Sequence, residues 1–555
     1  MPALYKGFWR AHLGKDGAII SQPESSSSNA PDGPQAILTR RPWLVLAVGL
    51  ALALTIRWLL WLAGAVPFNS DEAIVGLMAR HISAGARPSF FYGQAYMGSL
   101  DAWLIAGAFQ LLGDSLRSIR LVQIGLYLLF MVTAFGLAWR LYGPAVAGWT
   151  ALLGAVPPVL VMTYTSATLG GYGEVLVLGN LTLLLGYQTA QSQRASHALL
   201  WPLLGLVAGL AFWTLGLAVV YLAPVALIHL VRFDRKGLPV YGLALAGFLA
   251  GSCPWWFYNL QQGGAALAVL TSDTPFESVW WQRLVGLLAL GLPALLGLRF
   301  PWSPEYLPTA WLFGGTLLYA GVFLYLAVAL RQAGRPIGLG TLLLLSLVGF
   351  FGAGFVGTQF GIDSTGRYLL PLYGPLLIGI GLAMEAAWRW RPAIAVGLVA
   401  SFMLFNGWGV WRAAASADGL TTQFDPITRF GNQADDELIT FLQERGVRAG
   451  YSNYWVSFRL AFLTDESILL APLLPYKADF RYTPRDQRIE GYQAAAAEAQ
   501  TVVYVTSLHP QLDQRLASEF NAAGVAFQVR QIGPYHVFYD LSRPVPPEAL
   551  DLSPP

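Results

Sequence analysis

Two adjacent carboxylates, Asp71 and Glu72, follow the first long apolar segment of the sequence. A carboxylate at a membrane surface can serve as a general base toward an acceptor hydroxyl. A structural interpretation is also available, because Asn69 is suited to cap a helix whose first turn carries both acids. The two interpretations are compatible, since a cap can hold one carboxylate while the other does chemistry.

Four arginines and one more acid are candidates for substrate contacts. Arg367 begins a late apolar segment, where the helix dipole disfavours a cation. Binding of an anionic phosphate would explain its position. So would a location at the membrane interface from which the side chain reaches toward water. Arg57 lies inside the first apolar segment, as a functional cation, as an arginine reaching toward water or in a structural ion pair. Arg117 and Arg120 are a third candidate phosphate contact. Glu174 follows three glycines, either as a helix-start carboxylate after a flexible turn or as a site residue.

Aromatic residues accompany these charges in two places. Tyr96 closes a run that begins at Phe90 and Phe91, and Tyr368 stands next to Arg367. Rings of this kind either stack on a sugar or belong to the aromatic belt at a membrane surface. We count Tyr96 and Tyr368 among the candidate substrate-binding residues.

The composition indicates what kind of structure positions these residues, because the chain is 55% hydrophobic and only 12% charged. Soluble domains carry about 25% charged residues. Charges concentrate in the tail, so residues 42–411 are predicted to be a polytopic α-helical membrane body and residues 412–555 a soluble α/β domain. Residues 1–41 are predicted to be a disordered cytoplasmic tail. The net charge of +3 argues against nucleic acid, and the lone Cys253 excludes internal disulfides and cysteine-based metal centres.

Basic residues before the first apolar segment predict a cytoplasmic N-terminus, and later basic clusters mark further cytoplasmic loops. Eleven spans fit between these clusters, within a total of about 11–13 helices, and their odd number predicts an extracytoplasmic C-terminal domain at the plasma (inner) membrane. The predicted spans are 43–66, 119–139, 143–162, 171–190, 201–213, 215–231, 238–257, 310–330, 338–357, 368–387 and 392–411. Segment 201–231 is ambiguous and is interpreted as a short hairpin. Segment 283–298 is interpreted as re-entrant or interfacial.

The first outer loop, 67–118, contains two apolar pieces that are too short to span a membrane. Ile74, Met78 and Ile82 recur at helical spacing and predict a helix lying in the interface plane, and 99–112 predicts a second one. Most acids of the body fall on the predicted outer side, so we expect the chemistry there; they are Asp71, Glu72, Asp101, Asp114, Glu174, Asp273, Glu277, Glu305 and Asp363.

The Asp71-Glu72 loop, the interfacial helices, Glu174, the segment Arg367-Tyr368-Leu369-Leu370-Pro371 and the soluble tail together resemble the GT-C superfamily of integral-membrane glycosyltransferases. The most similar branch holds the dolichyl-phosphate-mannose protein mannosyltransferases and the bacterial aminoarabinose transferases to lipid A. The resemblance implies inverting transfer of a hexose or pentose from a polyprenyl-phosphate donor to an acceptor hydroxyl. It also implies that Asp71 activates the acceptor beside Glu72, that Glu174 is a second acid, and that Arg120 and Arg367 meet the donor phosphate.

One departure concerns the acceptor. The lipid A branch has Lys-Pro-Pro after the tyrosine of the first loop, whereas Tyr96 is followed by Met97-Gly98-Ser99. The phosphate contact of that lysine is missing, so the acceptor is left open among glycans, lipids and proteins. The stretch looks instead like uncharacterised bacterial members of the superfamily.

Three points about function remain open at this stage. A transporter or flippase of lipid-linked sugars is the main alternative, and a silent scaffold whose outer domain binds cell-envelope glycan is a third. No cofactor is indicated with certainty, although nearby carboxylates are compatible with a divalent cation. In the tail, Tyr451 to Arg459 is rich in groups that bind sugars, and a packed strand would explain it equally well.

Overall fold

The computed structural model describes residues 41–191, 198–233, 237–271, 279–332, 337–358, 361 and 363–552. Apart from its last residue, the predicted tail 1–41 lies outside this part of the chain. So do two of the predicted outer acids, Asp273 and Glu277.

The membrane body is helical. Its α-helices are α1 (Pro42–Leu62), α2 (Ser70–Ser83), α3 (Leu100–Leu112), α4 (Leu116–Tyr142), α5 (Pro144–Gly154), α6 (Val159–Tyr164), α7 (Tyr172–Gln191), α8 (Leu200–Thr214), α9 (Val219–Val231), α10 (Leu238–Gly251), α11 (Cys253–Gln261), α12 (Ala265–Thr271), α13 (Trp280–Gly286), α14 (Leu292–Leu295), α15 (Thr309–Gln332), α16 (Leu339–Gly357), α17 (Tyr373–Trp390) and α18 (Pro392–Ala414). A 3₁₀ turn, Arg367–Leu372, leads directly into α17.

Six helices in the described ranges are long and apolar enough to cross a membrane: α1, α4, α15, α16, α17 with its 3₁₀ turn, and α18. A seventh span results if α10 and α11, which meet at 62°, cross together. Length and composition therefore support six or seven of the eleven predicted spans. The predicted span 143–162 is instead divided into α5 and α6, because Pro157 and Pro158 interrupt the helical hydrogen bonding.

The first loop forms both predicted helices, α2 and α3, but α2 lies deeper in protein than an interfacial helix would. Ile74, Met78 and Ile82 are buried, and so are most of the residues between them. The reason is that α2 is covered by a helix of the C-terminal domain, whose Phe458 and Phe462 join the same apolar cluster.

The C-terminal domain is a small α/β unit, which confirms the predicted fold class. It contains α19 (Asp435–Glu444), β1 (Ala449–Ser452), α20 (Tyr454–Leu463), β2 (Leu469–Pro472), α21 (Glu490–Glu498), β3 (Val503–Ser507), α22 (Pro510–Ala522), β4 (Gln528–Ile532) and β5 (Tyr535–Tyr539). The strand order is β2-β1-β3-β5-β4, with β1 parallel to β2 and β3, and β5 antiparallel to β3 and β4.

Residues 451–459 do not form a single strand, because β1 ends at Ser452. Asn453 breaks it, because its side-chain oxygen accepts the backbone N–H groups of Trp455 at 3.0 Å and Val456 at 3.2 Å. This is an N-cap, and it starts α20 at Tyr454. The rest of the segment is therefore helical and faces the first loop.

Candidate functional site

Asp71 lies in the first turn of α2, where the predicted cap is present. Asn69 accepts the N–H of Glu72 at 3.0 Å, so the helix begins at Ser70 and its dipole favours both acids. Asp71 is half-buried, and its Oδ1 accepts a hydrogen bond from the hydroxyl of Tyr454 at the start of α20. The predicted base thus lies where the first loop meets the C-terminal domain.

Glu72 points the other way, into the membrane body. Its carboxylate is fully buried and lies 2.7 Å from the guanidinium of Arg120, which also donates to the carbonyl of Ser166 at 2.9 Å. Burial raises the pKa of Glu72 to about 7, although the charge of Arg120 opposes the shift. The two neighbouring acids therefore occupy different environments, one facing the domain boundary and one anchoring α2 to α4.

Tyr96 links Arg367 and Tyr368 to Asp71. Arg367 lies 2.6 Å from Asp363, donates to the Tyr368 hydroxyl at 3.3 Å, and keeps 37% of its side chain exposed. Partial burial raises the pKa of Tyr96, Tyr368 and Asp71 add to the shift, and Arg367 opposes it. Tyr96 is therefore near enough to a cation, a second phenol and the predicted base to interact electrostatically with all three.

The C-terminal domain contributes further charges to the same space. Burial raises the pKa of Asp486 to about 6, Arg488 opposes this, and Asp71 adds to it, so the carboxyls of Asp71 and Asp486 are near enough to interact electrostatically. The guanidinium of Arg488 lies 5.6 Å from the ring centre of Tyr454 and 5.7 Å from that of Phe91. Both domains therefore build this region.

Arg57 is buried at 3% exposure within α1. It donates to Thr165 at 2.7 Å and Ser166 at 3.2 Å, and its guanidinium stands 3.6 Å from the ring centre of Tyr127. Among the residues that the structure describes, no carboxylate pairs with it. A buried cation balanced only by neutral groups is a suitable neighbour for an anion.

Glu174, in the first turn of α7, is buried together with Asp101 of α3. Asp101 accepts hydrogen bonds from Gln123 at 3.0 Å and from the Thr168 hydroxyl. Burial raises the pKa of Asp101 well above its usual value, and Glu174, which hydrogen-bonds to it, raises it further. Two buried carboxyls in contact need a shared proton, so this pair is neutralised in part by its own protonation.

Sequence reasoning missed four residues of this region: Asp101, Tyr454, Asp486 and Arg488. The sequence did point to Asp101, because it is one of the acids on the predicted outer side, and to Tyr454, which lies in the stretch rich in sugar-binding groups. No sequence pattern pointed to Asp486 or Arg488, because only docking of the domain brings them near Asp71.

The described residues contain no group of three or more His, Cys, Asp and Glu side chains able to hold a metal ion. Asp71 and Asp486 offer two carboxylates. Magnesium commonly takes one or two carboxylates and completes its shell with water and substrate phosphates. The protein ligands alone therefore do not form a complete site.

Comparison with known protein sequences gives two findings. Residues 99–258, less than half of the chain, match the family model of dolichyl-phosphate-mannose-protein mannosyltransferases. No curated protein sequence matches significantly.

Solved structures match over almost the whole chain. ArnT from Cupriavidus metallidurans, bound to undecaprenyl phosphate, is 14% identical with a TM-score of 0.53, over 91% of this chain and 99% of that one. Its apo state gives a TM-score of 0.55 at 14% identity, over 91% and 98%. The oligosaccharyltransferase from Archaeoglobus fulgidus with zinc and sulfate gives 0.50 at 14%, over 89% and 73%. At this identity the likeness establishes the fold, which is the helical GT-C fold with a C-terminal α/β domain that the sequence predicts.

Proposed function

We propose that this chain, which has the GT-C fold, is a glycosyltransferase that moves a sugar from a polyprenyl-phosphate donor to an acceptor hydroxyl with inversion. The observation that carries the proposal is the half-buried carboxylate of Asp71, which is held by a hydrogen bond and interacts with Tyr96, a phenol that also interacts with Tyr368 and the cation Arg367. The family match and the fold support the reaction class. ArnT, which shares the fold, binds undecaprenyl phosphate, and this supports a lipid-phosphate donor.

In the proposed reaction, Asp71 accepts the proton of the acceptor hydroxyl while that oxygen bonds to the anomeric carbon. The bond between the anomeric carbon and the phosphate oxygen breaks on the opposite face, and its electron pair leaves with the polyprenyl phosphate. The transition state resembles an oxocarbenium ion, which a carboxylate on the attacking face stabilises. Because the electrons enter through the acceptor oxygen from the side opposite the leaving group, the configuration inverts.

Cations fixed near the leaving phosphate lower the barrier by stabilising the charge that develops there. Arg367 is the half-exposed candidate and Arg57 the buried one. Tyr96 and Tyr368 supply phenol groups and ring faces for the sugar. We assign Glu72 and Arg120 to positioning, because their ion pair and the carbonyl of Ser166 already occupy both groups. Glu174 is assigned an indirect role, through its contact with the carboxyl of Asp101.

The acceptor and the sugar are proposed only as classes: a glycan, lipid or protein hydroxyl of the cell envelope, and a hexose or pentose. We further propose that the catalytic face lies outside the plasma (inner) membrane, with the N-terminus in the cytoplasm. A divalent cation, if required, would use Asp71 and Asp486. Transfer rates before and after EDTA treatment decide this point, and no step above depends on such an ion.

The test uses purified protein in liposomes that contain radiolabelled polyprenyl-phosphate sugars and a panel of acceptors. The proposal predicts that label moves to an acceptor and that one free polyprenyl phosphate is released per sugar transferred. Movement of the intact labelled lipid across the bilayer without covalent transfer would instead favour the flippase. Glycan binding without either activity would favour the scaffold.

A further inference from the structure

The predicted base is held by the C-terminal domain through one rigid side chain. Tyr454 is the first residue of α20 and is 3% exposed. The cap residue before it, Asn453, donates to the Ser507 hydroxyl of β3 at 3.0 Å, which ties the start of the helix to the sheet. The ring of Tyr454 packs against those of Trp455 at 5.0 Å and Phe458 at 5.4 Å. Its hydroxyl therefore reaches Asp71 from a well-fixed position.

The direction of this hydrogen bond is set by the protonation of the phenol. Burial raises the pKa of Tyr454 well above its usual value, the charge of Asp71 raises it further, and Arg488 opposes the shift. The phenol therefore keeps its proton and donates to Oδ1 of Asp71. Within the described residues Oδ2 has no hydrogen-bond partner, so it is the oxygen available to a substrate proton.

We propose that Tyr454 is a positioning residue for Asp71, so that the C-terminal domain completes the catalytic site rather than only covering it. This inference rests on the proposed function, in which Asp71 is the base. A fixed donor on Oδ1 orients the carboxylate and stabilises its ionised form, which is the form that accepts a proton. Without the donor, the carboxylate is less well placed to accept a proton.

The other groups around Asp71 come from each packed element. They are Tyr96 of the first loop, Tyr164 of α6, and Tyr476, Asp486 and Arg488 of the C-terminal domain.

The test is Tyr454→Phe, which removes only the hydroxyl and keeps the ring. We expect kcat to fall about tenfold or more and the donor KM to stay within about twofold. Tyr492→Phe is the matched control, because this buried tyrosine of the same apolar cluster donates to Glu466 at 2.7 Å, away from Asp71. We expect it to leave both kcat and KM unchanged. Thermal unfolding confirms that both variants fold.

Wild-type kcat in Tyr454→Phe, or equal effects of both variants on kcat, would overturn the positioning role. Absence of transfer by the wild-type chain would instead overturn the proposed function.

Discussion

Replacing Phe462 by alanine should loosen the C-terminal domain from the first loop. Phe462 is the last residue but one of α20 and is 3% exposed. Its ring centre lies 5.3 Å from that of Phe68, and the guanidinium of Arg80 sits 4.0 Å above it. The ring also fills the space over Gly76 of α2, where a Cβ would come within 2.5 Å of it.

The size of the effect follows from these contacts. Removing a buried phenylalanine side chain costs about 3–5 kcal/mol. Since each 1.4 kcal/mol is a factor of ten, the loosened population should rise at least about a hundredfold. Gly76→Ala alone overpacks the same point and should cost about 1–3 kcal/mol. In the double variant the new methyl group occupies part of the void left by the ring. Its total cost should therefore be about 1 kcal/mol smaller than the sum of the costs of the two single variants.

Hydrogen exchange of the amides in α2 and α20 measures this opening directly. We expect faster exchange in both helices of Phe462→Ala and a lower transfer rate, because Tyr454 belongs to the same helix and moves away from Asp71. Leu463→Ala is the matched control, since the adjacent residue is 39% exposed and should change little. Wild-type exchange rates in Phe462→Ala, or equal effects of the two variants, would refute the account of docking.

Three further predictions concern charged residues. The Glu72 proton should contribute about 3 kcal/mol of folding stability that is lost as the pH rises from about 4.5 through about 7, because the folded chain retains the proton that the unfolded chain has released. Between pH 5 and pH 8, thermal unfolding should show a smaller loss of stability in Glu72→Gln than in the wild type, and the remaining slope comes from groups such as Asp101 and Asp486, whose pKa values are also raised. Arg367→Ala should raise the donor KM and lower kcat, whereas replacing Arg87, an exposed arginine of the first loop, by alanine should change neither in the same transfer assay. Asp435→Asn should destabilise the C-terminal domain by about 3–5 kcal/mol, because it leaves the fully buried Arg459 without its charged partner. Asp540→Asn removes the acid of an exposed pair with Arg445 and should cost less than about 1 kcal/mol. Limited proteolysis compares the stability of the two variants.

Local patterns were sufficient to predict the parts of the fold that depend on neighbours in sequence. The cap at Asn69 and the spacing of Ile74, Met78 and Ile82 predicted α2, and apolar length predicted the six clear spans. The broken span at Pro157 and Pro158 was predictable in principle, because proline lacks the backbone N–H that a helix needs.

Contacts between distant residues account for what was not predicted. Glu72 pairs with Arg120 across 48 positions, and Asp71 meets Tyr454 across 383. Neither pairing leaves a period or a local motif in the sequence. The amphipathic pattern of α2 predicted a lipid-facing helix, and only docking of α20 shows that protein covers it. The roles of Arg57, Tyr96, Glu174, Arg367 and Tyr368 remain predictions.

The role of Asp71 as the base is tested most directly by Asp71→Asn in the liposome transfer assay. Asparagine keeps the size of the side chain and an oxygen for the Tyr454 hydroxyl, but it cannot take the acceptor proton. We predict that kcat falls by at least about a hundredfold while the variant folds and binds the lipid-phosphate donor within about twofold of the wild type. A folded, donor-binding variant that transfers sugar within about tenfold of the wild-type rate would contradict the account.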